Sequence, residues 1–237
     1  MLSDKPFTKE NLDTYLRELA KEFRKQNGRG MEAEIILIGG ASVVINYGFR
    51  EMTYDMDAVI KASSSMKDAI NTVGNRYELP TGWLNADFMK TTSYTPRISQ
   101  YSKYYKTYSN IVKFRTVTGK HLLAMKLMSG RQYKYDLSDA IGILWEQERR
   151  GEPLSLDLIK QACIDLYDTY DAIPESSRKF IEQAIQDHDY ERLYEKARDM
   201  EKENKDILLE FQEEYPGVTN EDNVDDIIKA VRKKQGK

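Results

Sequence analysis

The stretch from residue 34 to residue 60 constrains the fold of this chain most. Residues 35–38 are a short apolar run, which is typical of a buried strand. Residues 39–42, Gly-Gly-Ala-Ser, form a turn of very small side chains that lets the backbone come close to a ligand. A second strand pattern, at about residues 55–60, carries Asp55 and Asp57. Residues two apart in a strand point to the same side, so we expect both carboxylates to face one place.

Two carboxylates held side by side repel each other unless a cation or a proton lies between them. Mg²⁺ suits oxygen ligands and bridges to substrate phosphates, so Asp55 and Asp57 are candidate metal ligands. The glycine turn leads into a predicted helix, and the backbone N–H groups at a helix start bind anions readily. The stretch therefore predicts a metal and triphosphate site. A D-x-D pair alone is common, and two aspartates that merely face solvent are the alternative.

A second group of polar residues follows at 122–139. Lys126 lies in an apolar helical pattern, where a lysine either reaches water along its stem or points at an anion. Asp136 and Asp139 lie three residues apart and hence on one helix face. They could orient Lys126 or Arg131 by salt bridges, or they could complete the metal site. Carboxylates at a helix start are also favoured by the helix dipole, which is a sufficient alternative for Asp136.

Both groups of residues resemble a known family. Gly39-Gly40 followed by Asp55-x-Asp57 resembles the signature of the polymerase-β-type nucleotidyltransferase fold. The closer likeness is to the AbiEii-like and MenT-like toxin nucleotidyltransferases and their uncharacterised relatives. Residues 50–57 resemble their R-x-x-T-x-D-x-D motif, and residues 122–139 resemble their LL-x-x-K-L…R…D-x-x-D pattern. The likeness covers roughly residues 34–145.

The resemblance implies a metal-dependent transfer of NMP from an NTP to an acceptor. It further implies Mg²⁺ or Mn²⁺ as cofactor, RNA as acceptor (the 3′ end of a tRNA being one candidate), a toxin role and a separate antitoxin protein as partner. The catalytic residues under this hypothesis are Asp55, Asp57, Lys126 and Asp139, and the metal ligands are Asp55 and Asp57. The nucleotide-binding residues are Gly39, Gly40, Ala41, Ser42, Arg50, Thr53 and Arg131, with Asp136 as a further candidate.

One expected part of such a site is missing from the sequence. Sites of this type have a third carboxylate on a later strand, and the natural place, residues 111–117, holds none. Asp87 is a weak substitute. Either the metal site is reduced, or Asp136 or Asp139 supplies the ligand.

The distribution of charge is more informative than the net charge of −3. Residues 88–135 contain ten Lys and Arg and no Asp or Glu. Basic residues bind phosphate, and tyrosine rings can stack on bases. Five tyrosines alternate with these cations, which favours an RNA acceptor: Tyr94, Tyr101, Tyr104, Tyr105 and Tyr108. A strand pair with a solvated basic face is the alternative.

We predict an α/β (α+β) fold, in which a nucleotidyltransferase-like domain with a small mixed sheet (residues 1–150) precedes a helical bundle (151–237). Gly and Pro at 151–153 mark the boundary. We expect strands at 35–38, 55–60, 104–108 and 111–117, and helices at 8–26, 41–47, 63–73, 121–129, 136–149, 154–167, 174–186, 188–213 and 221–234. The single cysteine, Cys163, excludes an internal disulfide, and no apolar run is long enough to span a membrane, so we expect a cytoplasmic protein.

Two other functions remain open. A small-molecule nucleotidyltransferase that modifies cationic antibiotics would need an acidic cleft, and the basic segment 88–135 argues against it. A non-catalytic NTP- or RNA-binding protein would keep the fold without the chemistry, and the missing third carboxylate is the best support for it.

Overall fold

A computed structural model describes residues 5–220 and 223–234. The strands are β1 Phe7–Thr8, β2 Ala33–Leu37, β3 Met52–Thr53, β4 Met56–Lys61, β5 Leu84–Asn85, β6 Ser102–Tyr108 and β7 Val112–Val117. The helices are α1 Lys9–Asn27, α2 Gly39–Asn46, α3 Ser65–Tyr77, α4 Gly119–Ser129, α5 Asp136–Arg149, α6 Leu156–Tyr167, α7 Glu175–Asp187, α8 Tyr190–Glu214 and α9 Val224–Lys234. Short 3₁₀ turns lie at Asp87–Lys90, Pro96–Ser99 and Tyr170–Ala172.

The main sheet is mixed and has the strand order β5-β4-β2-β7-β6. β2 runs antiparallel to β4 and parallel to β7, and β5 adds to the free edge of β4 in parallel. β6 and β7 form the predicted hairpin. Its turn residues, Ser109 and Asn110, both have positive φ, as the tightest hairpin turns require. The predicted fold class, α/β with a small mixed sheet followed by helices, is confirmed.

The sheet has a separate apolar core on each face because its strands alternate. Ile35 and Leu37 of β2 pack with α1 and α3, whereas Ile36 and Ile38 pack with α4 and α5. β4 divides in the same way, with Met56 and Ala58 in the first core and Val59 in the second. Asp57 lies between Met56 and Ala58, so its side chain is on the face of α4 and α5.

A small second sheet ties the N-terminal end of the chain to the segment before Asp55. Phe7 of β1 pairs with Thr53 of β3 and is fully buried. Thr8 then caps α1 through a capping box with Asn11. The segment that carries Thr53 is thereby anchored to α1 as well as to the main sheet.

The helices beyond residue 151 share a core with the sheet. α6 and α7 pack with α4 and α5, and Cys163 of α6 is fully buried there. A turn at 150–153 does separate α5 from α6, but the apolar contacts continue across it. The division into two domains at this turn stays a prediction. No helix in the described part of the chain is long and apolar enough to cross a membrane.

Most element boundaries differ by a few residues from those predicted, and three of the differences are described here. α2 begins at Gly39 rather than at residue 41, because the small-residue turn is itself the first turn of the helix. α3 extends four residues further, to Tyr77. The predicted helix 221–234 starts at residues 221–222, which lie outside the described residues, and it continues as α9.

Candidate active site

The start of α2 lies directly beside the carboxylate of Asp57. The Ile38 backbone N–H donates to the Asp57 carbonyl (3.0 Å), which brings the end of β2 level with Asp57. Gly39 has a φ of +53°, and a Cβ there would lie 3.6 Å from Asp57 Oδ2. Ile38 precedes the helix and provides no side-chain cap. The first N–H groups of a helix have no partner within it, so those of α2 remain for a ligand close to Asp57.

Asp55 and Asp57 influence each other, as their spacing predicted. Asp55 is exposed just before β4, and Asp57 is partly buried within it. Burial, and next the negative charge of Asp55, raise the pKa of Asp57 to about 6. The positive charges of Arg131, Lys134 and Lys126 oppose this rise in pKa, so these cations lie on the same side as the carboxylates.

The carboxylate pair fits a cation that is only partly coordinated by protein. In residues 5–220 and 223–234 no group of three or more His, Cys, Asp or Glu side chains could hold a metal. Two carboxylates are sufficient for Mg²⁺, because this ion keeps several waters and binds substrate phosphates. The remaining repulsion between Asp55 and Asp57 is the feature that such an ion would remove.

Arg50 and Thr53 connect Asp55 to α5. Arg50 forms a salt bridge with Asp139 (Nη1 to Oδ2, 2.6 Å) and donates from Nη2 to Thr53 Oγ1 (3.4 Å). The buried Thr53 hydroxyl lies 3.0 Å from Asp55 Oδ1. A Cβ at Gly40 would lie 2.3 Å from Thr53 Oγ1, so only glycine lets α2 approach this network.

Lys126 is buried between two carboxylates. Its Nζ lies 2.9 Å from Asp136 Oδ1 and 2.8 Å from Asp139 Oδ2. Burial alone would lower the pKa of Lys126, but the two carboxylates outweigh it and raise the pKa. Burial likewise opposes ionisation of Asp136, yet Lys126 and Arg131 hold the pKa of Asp136 well below its usual range. Arg131 Nε reaches Asp136 Oδ2 at 2.7 Å.

These contacts favour one of the two roles that the sequence left open for Asp136 and Asp139. Both carboxylates are buried and form salt bridges to cations. This pairing supports a role in orienting Lys126, Arg131 and Arg50.

Ala41 and Ser42 are buried more deeply than residues that contact a phosphate should be. Both are fully buried. The Ser42 hydroxyl accepts hydrogen bonds from Val117 N and from Asn46 Nδ2, each at 3.3 Å, and so connects α2 to β7. The expected contact between this hydroxyl and a phosphate does not fit this arrangement. Gly39 and Gly40 are partly exposed and form the accessible start of α2.

The sequence reasoning missed the strand beside Asp57. As expected, β7 carries no carboxylate. β5, only two residues long, pairs Asn85 with Asp57 in register. The Asn85 Oδ1 accepts from the Asp87 backbone N–H (2.8 Å), and the Asp87 side chain is exposed and paired with Lys90. β5 is too short, and too close to Pro80 and Gly82, to give a periodic signal.

Four of the five tyrosines are partly buried and contact other parts of the protein. Tyr101 stacks on His121 with 4.0 Å between ring centroids, and Tyr105 donates to Asp13 (2.6 Å). Tyr94 and Tyr108 make edge contacts with Phe88 and Phe114. Tyr104, at 60% exposure, is the exposed member of the five. The structure favours the alternative reading, a strand pair with a solvated basic face, over a row of stacking rings.

α8 supplies a buried carboxylate that the sequence did not reveal. Glu201 lies on an acidic helix, a composition typical of a solvated surface, but it is only 1% exposed. Its carboxylate accepts from the backbone N–H groups of Leu137 and Ser138 (2.9 and 3.1 Å) and from the Ser138 hydroxyl (2.6 Å), and so caps α5. Burial raises the pKa of Glu201 to about 7 against these hydrogen bonds.

A family model that describes nucleotidyltransferases of unknown function, DUF6036, matches residues 14–198. The chain belongs to this family. No curated protein and no solved structure matches the chain. The matched segment contains the carboxylate pair, the start of α2 and the salt bridges of Lys126. It ends within α8, three residues before Glu201.

Replacing the buried lysine of this nucleotidyltransferase-family chain will test its ion pairs. We expect Lys126→Met to lower the free energy of unfolding by about 3–5 kcal/mol, because it leaves two carboxylates buried with fewer cations. Lys120→Met, on the same helix but partly exposed, should change it by less than about 0.5 kcal/mol. Urea unfolding at pH 7 measures both. A loss below about 1 kcal/mol for Lys126→Met would contradict the buried pairing.

The raised pKa of Glu201 predicts that the stability of the protein depends on pH. This pKa is about 7 in the folded chain, well above that of an ordinary glutamate. A raised pKa gives stability that is fully present below the unfolded pKa and is lost as pH rises through the folded pKa. Relative to Glu201→Gln, we expect the wild type to lose up to about 3 kcal/mol between pH 4.5 and pH 8. Urea unfolding of both proteins across this range would show no change in the difference if Glu201 titrates normally.

Proposed function

We propose that this chain transfers NMP from an NTP to an acceptor, with Mg²⁺ or Mn²⁺ held by Asp55 and Asp57. The observation that carries the proposal is the carboxylate pair directly beside the uncapped start of α2. A divalent cation and a triphosphate together satisfy both features, because the ion neutralises the carboxylates and the helix start binds the phosphates.

Each part of the site has a role under this proposal. The N–H groups at Gly39 and Gly40 bind phosphate oxygens. The metal would lower the pKa of the attacking hydroxyl and neutralise the departing pyrophosphate. Lys126, oriented by Asp136 and Asp139, places positive charge where the transition state develops negative charge. Arg131, paired with Asp136, binds the triphosphate before and during the transfer. Arg50 and Thr53 fix the Asp55 carboxylate.

We propose RNA as the acceptor, with the 3′ end of a tRNA as the first candidate. The segment 88–135 supports this through its exposed basic residues. Lys103 and Lys113 are exposed on the β6–β7 hairpin, where they can contact the phosphates of an RNA. The likeness of residues 50–57 and 122–139 to AbiEii-like and MenT-like enzymes supports a toxin role with an antitoxin protein as partner.

The non-catalytic alternative also has a specific observation in its favour. Among the described residues, the strand neighbours of Asp57 offer Asn85 rather than a third carboxylate. A protein that binds NTP through the same residues without turnover would need no third ligand. The activity experiment must therefore separate binding from transfer.

Transfer is tested with each α-labelled NTP in turn, total bacterial RNA and Mg²⁺. We expect wild type to label tRNA-sized RNA with a particular nucleotide. Asp57→Asn should reduce this labelling at least about 10³-fold, because it removes one charge from the metal pair at nearly constant shape. Asp68→Asn, an exposed carboxylate on α3, is the matched control and should label normally.

The other possible outcomes of this experiment would each identify one of the two alternative functions. Label that enters added aminoglycosides but not RNA would establish a small-molecule acceptor. Binding of Mg-NTP to wild type and not to Asp57→Asn, with no label in any acceptor, would establish the non-catalytic protein.

Metal binding by itself should depend on pH. Since the pKa of Asp57 is raised to about 6, protons compete with a cation below that pH. We expect Mn²⁺ affinity, measured by electron paramagnetic resonance, to fall about tenfold per pH unit below pH 6 and to be nearly constant above pH 7. Asp57→Asn should bind weakly at every pH. A flat affinity from pH 5 to pH 8 would contradict proton competition at Asp57 near pH 6.

A further inference from the structure

One face of α8 contacts the segment between α4 and α5 and the first turn of α5. Arg198, Glu201 and Asn204 follow one another at intervals of three residues and so share a helix face. Arg198 lies over the Tyr135 ring (4.2 Å), and Glu201 caps the start of α5. Asn204 Nδ2 donates to the Gln132 carbonyl (2.8 Å).

The segment held in this way is the one that carries positive charge to the carboxylate pair. Residues 130–135, which we call the basic loop, contain Arg131 and Lys134. Arg131 Nε reaches Asp136 Oδ2 at 2.7 Å, and Lys126 joins Asp136 to Asp139. From Asp139 the contacts continue through Arg50 and the Thr53 hydroxyl to Asp55. The basic loop has no helix or strand structure of its own between Ser129 and Asp136, so its position depends on contacts with other elements.

Asn204 is the contact from α8 that reaches the middle of the basic loop. It is 1% exposed, and both ends of its amide are used. While Nδ2 donates to Gln132, Oδ1 accepts from Arg232 Nε of α9 (2.8 Å). Arg232 also donates to Glu203 (3.2 Å). The arginine therefore fixes which way the buried amide points, because a flipped amide would lose both hydrogen bonds.

A small apolar cluster supports the same loop. Tyr133 packs against Leu208 of α8 and against Val224 and Ile228 of α9. The loop is thus held on its backbone by Asn204 and on a side chain by this cluster. Glu201, Asn204 and all of α9 lie beyond the segment that matches the family model, which ends at residue 198.

We propose that Asn204, oriented by Arg232, is a positioning residue that holds the basic loop in the geometry that binds the triphosphate. The proposal rests on the proposed function above. It assigns to the C-terminal α8–α9 pair a part in substrate affinity, although neither Asn204 nor Arg232 contacts the carboxylate pair. Contacts that hold the phosphates equally in ground and transition state affect KM and leave kcat unchanged.

Asn204→Leu removes both hydrogen bonds at similar volume. We expect it to raise the KM for NTP about tenfold with kcat changed less than about twofold. Hydrogen exchange should become faster in the peptide that spans residues 130–136 and stay unchanged in the peptide that spans 39–46. Gln212→Leu, an exposed amide on the same helix, is the matched control and should alter neither measurement.

Arg232→Met is the second variant, in case Asn204→Leu impairs folding. It leaves Asn204 in place but frees the amide to turn, so we expect the same KM change at a smaller size. The double variant should be no worse than Asn204→Leu alone, because both residues act through one hydrogen-bonded relay. Far-ultraviolet circular dichroism and thermal unfolding confirm that each variant is folded.

The two measurements separate failure of this proposal from failure of the proposed function. Faster exchange in the loop with an unchanged KM would overturn the link to substrate affinity, and unchanged exchange would overturn the positioning itself. A kcat loss as large as the KM rise would show that Asn204 acts on the chemical step. If wild type neither binds nor turns over NTP, the proposed function fails and the substrate role of the loop fails with it, whereas the exchange data still report on the contact.

Discussion

The buried salt bridges of Lys126 are the interaction on which the site depends. Lys126 is the central cation, and its partners Asp136 and Asp139 are each held by a second cation, Arg131 and Arg50. Removing these charges from water is costly, so the network persists only because every carboxylate is paired. Such a network fixes the relative positions of α4, α5 and the segment before β3 more sharply than apolar packing would, because a shift of any partner leaves a charge buried alone.

The network also explains how distant segments meet at the carboxylate pair. Arg50 extends it through the Thr53 hydroxyl to Asp55, and Arg131 extends it toward Asp57. The close approach of α2 requires Gly40, which leaves room for Thr53. Asp57 itself is fixed by the main-chain pairing of β4 with β2. One aspartate is thus held by side chains and the other by the sheet.

The local parts of this site could be predicted from the sequence, because they follow from periodicity. The alternation of Asp55 and Asp57 and the spacing of Asp136 and Asp139 each place two carboxylates on one side of one element. The hairpin at Ser109–Asn110 and the cap of α1 at Thr8 are likewise local. Contacts between segments far apart in the chain could not be predicted. β5 has too few residues for a pattern, and the hydrogen bonds of Glu201 and Asn204 reach back more than sixty residues.

The burial of individual side chains was the property least well predicted from the sequence patterns. The basic segment with its tyrosines has the composition of a surface that binds nucleic acid. Yet Tyr101 stacks on His121, and Tyr105 donates a hydrogen bond to Asp13. An acidic helix was equally misleading, since Glu201 is enclosed and caps α5. In both cases the physical reason is the same. A tyrosine ring can pack, and a carboxylate can accept hydrogen bonds, in the interior of a protein as well as at its surface. Whether the side chain is buried depends on a partner that is remote in sequence. The exposed cations Lys103 and Lys113, which have no such inner use, therefore carry the case for a phosphate-bearing acceptor better than the rings do.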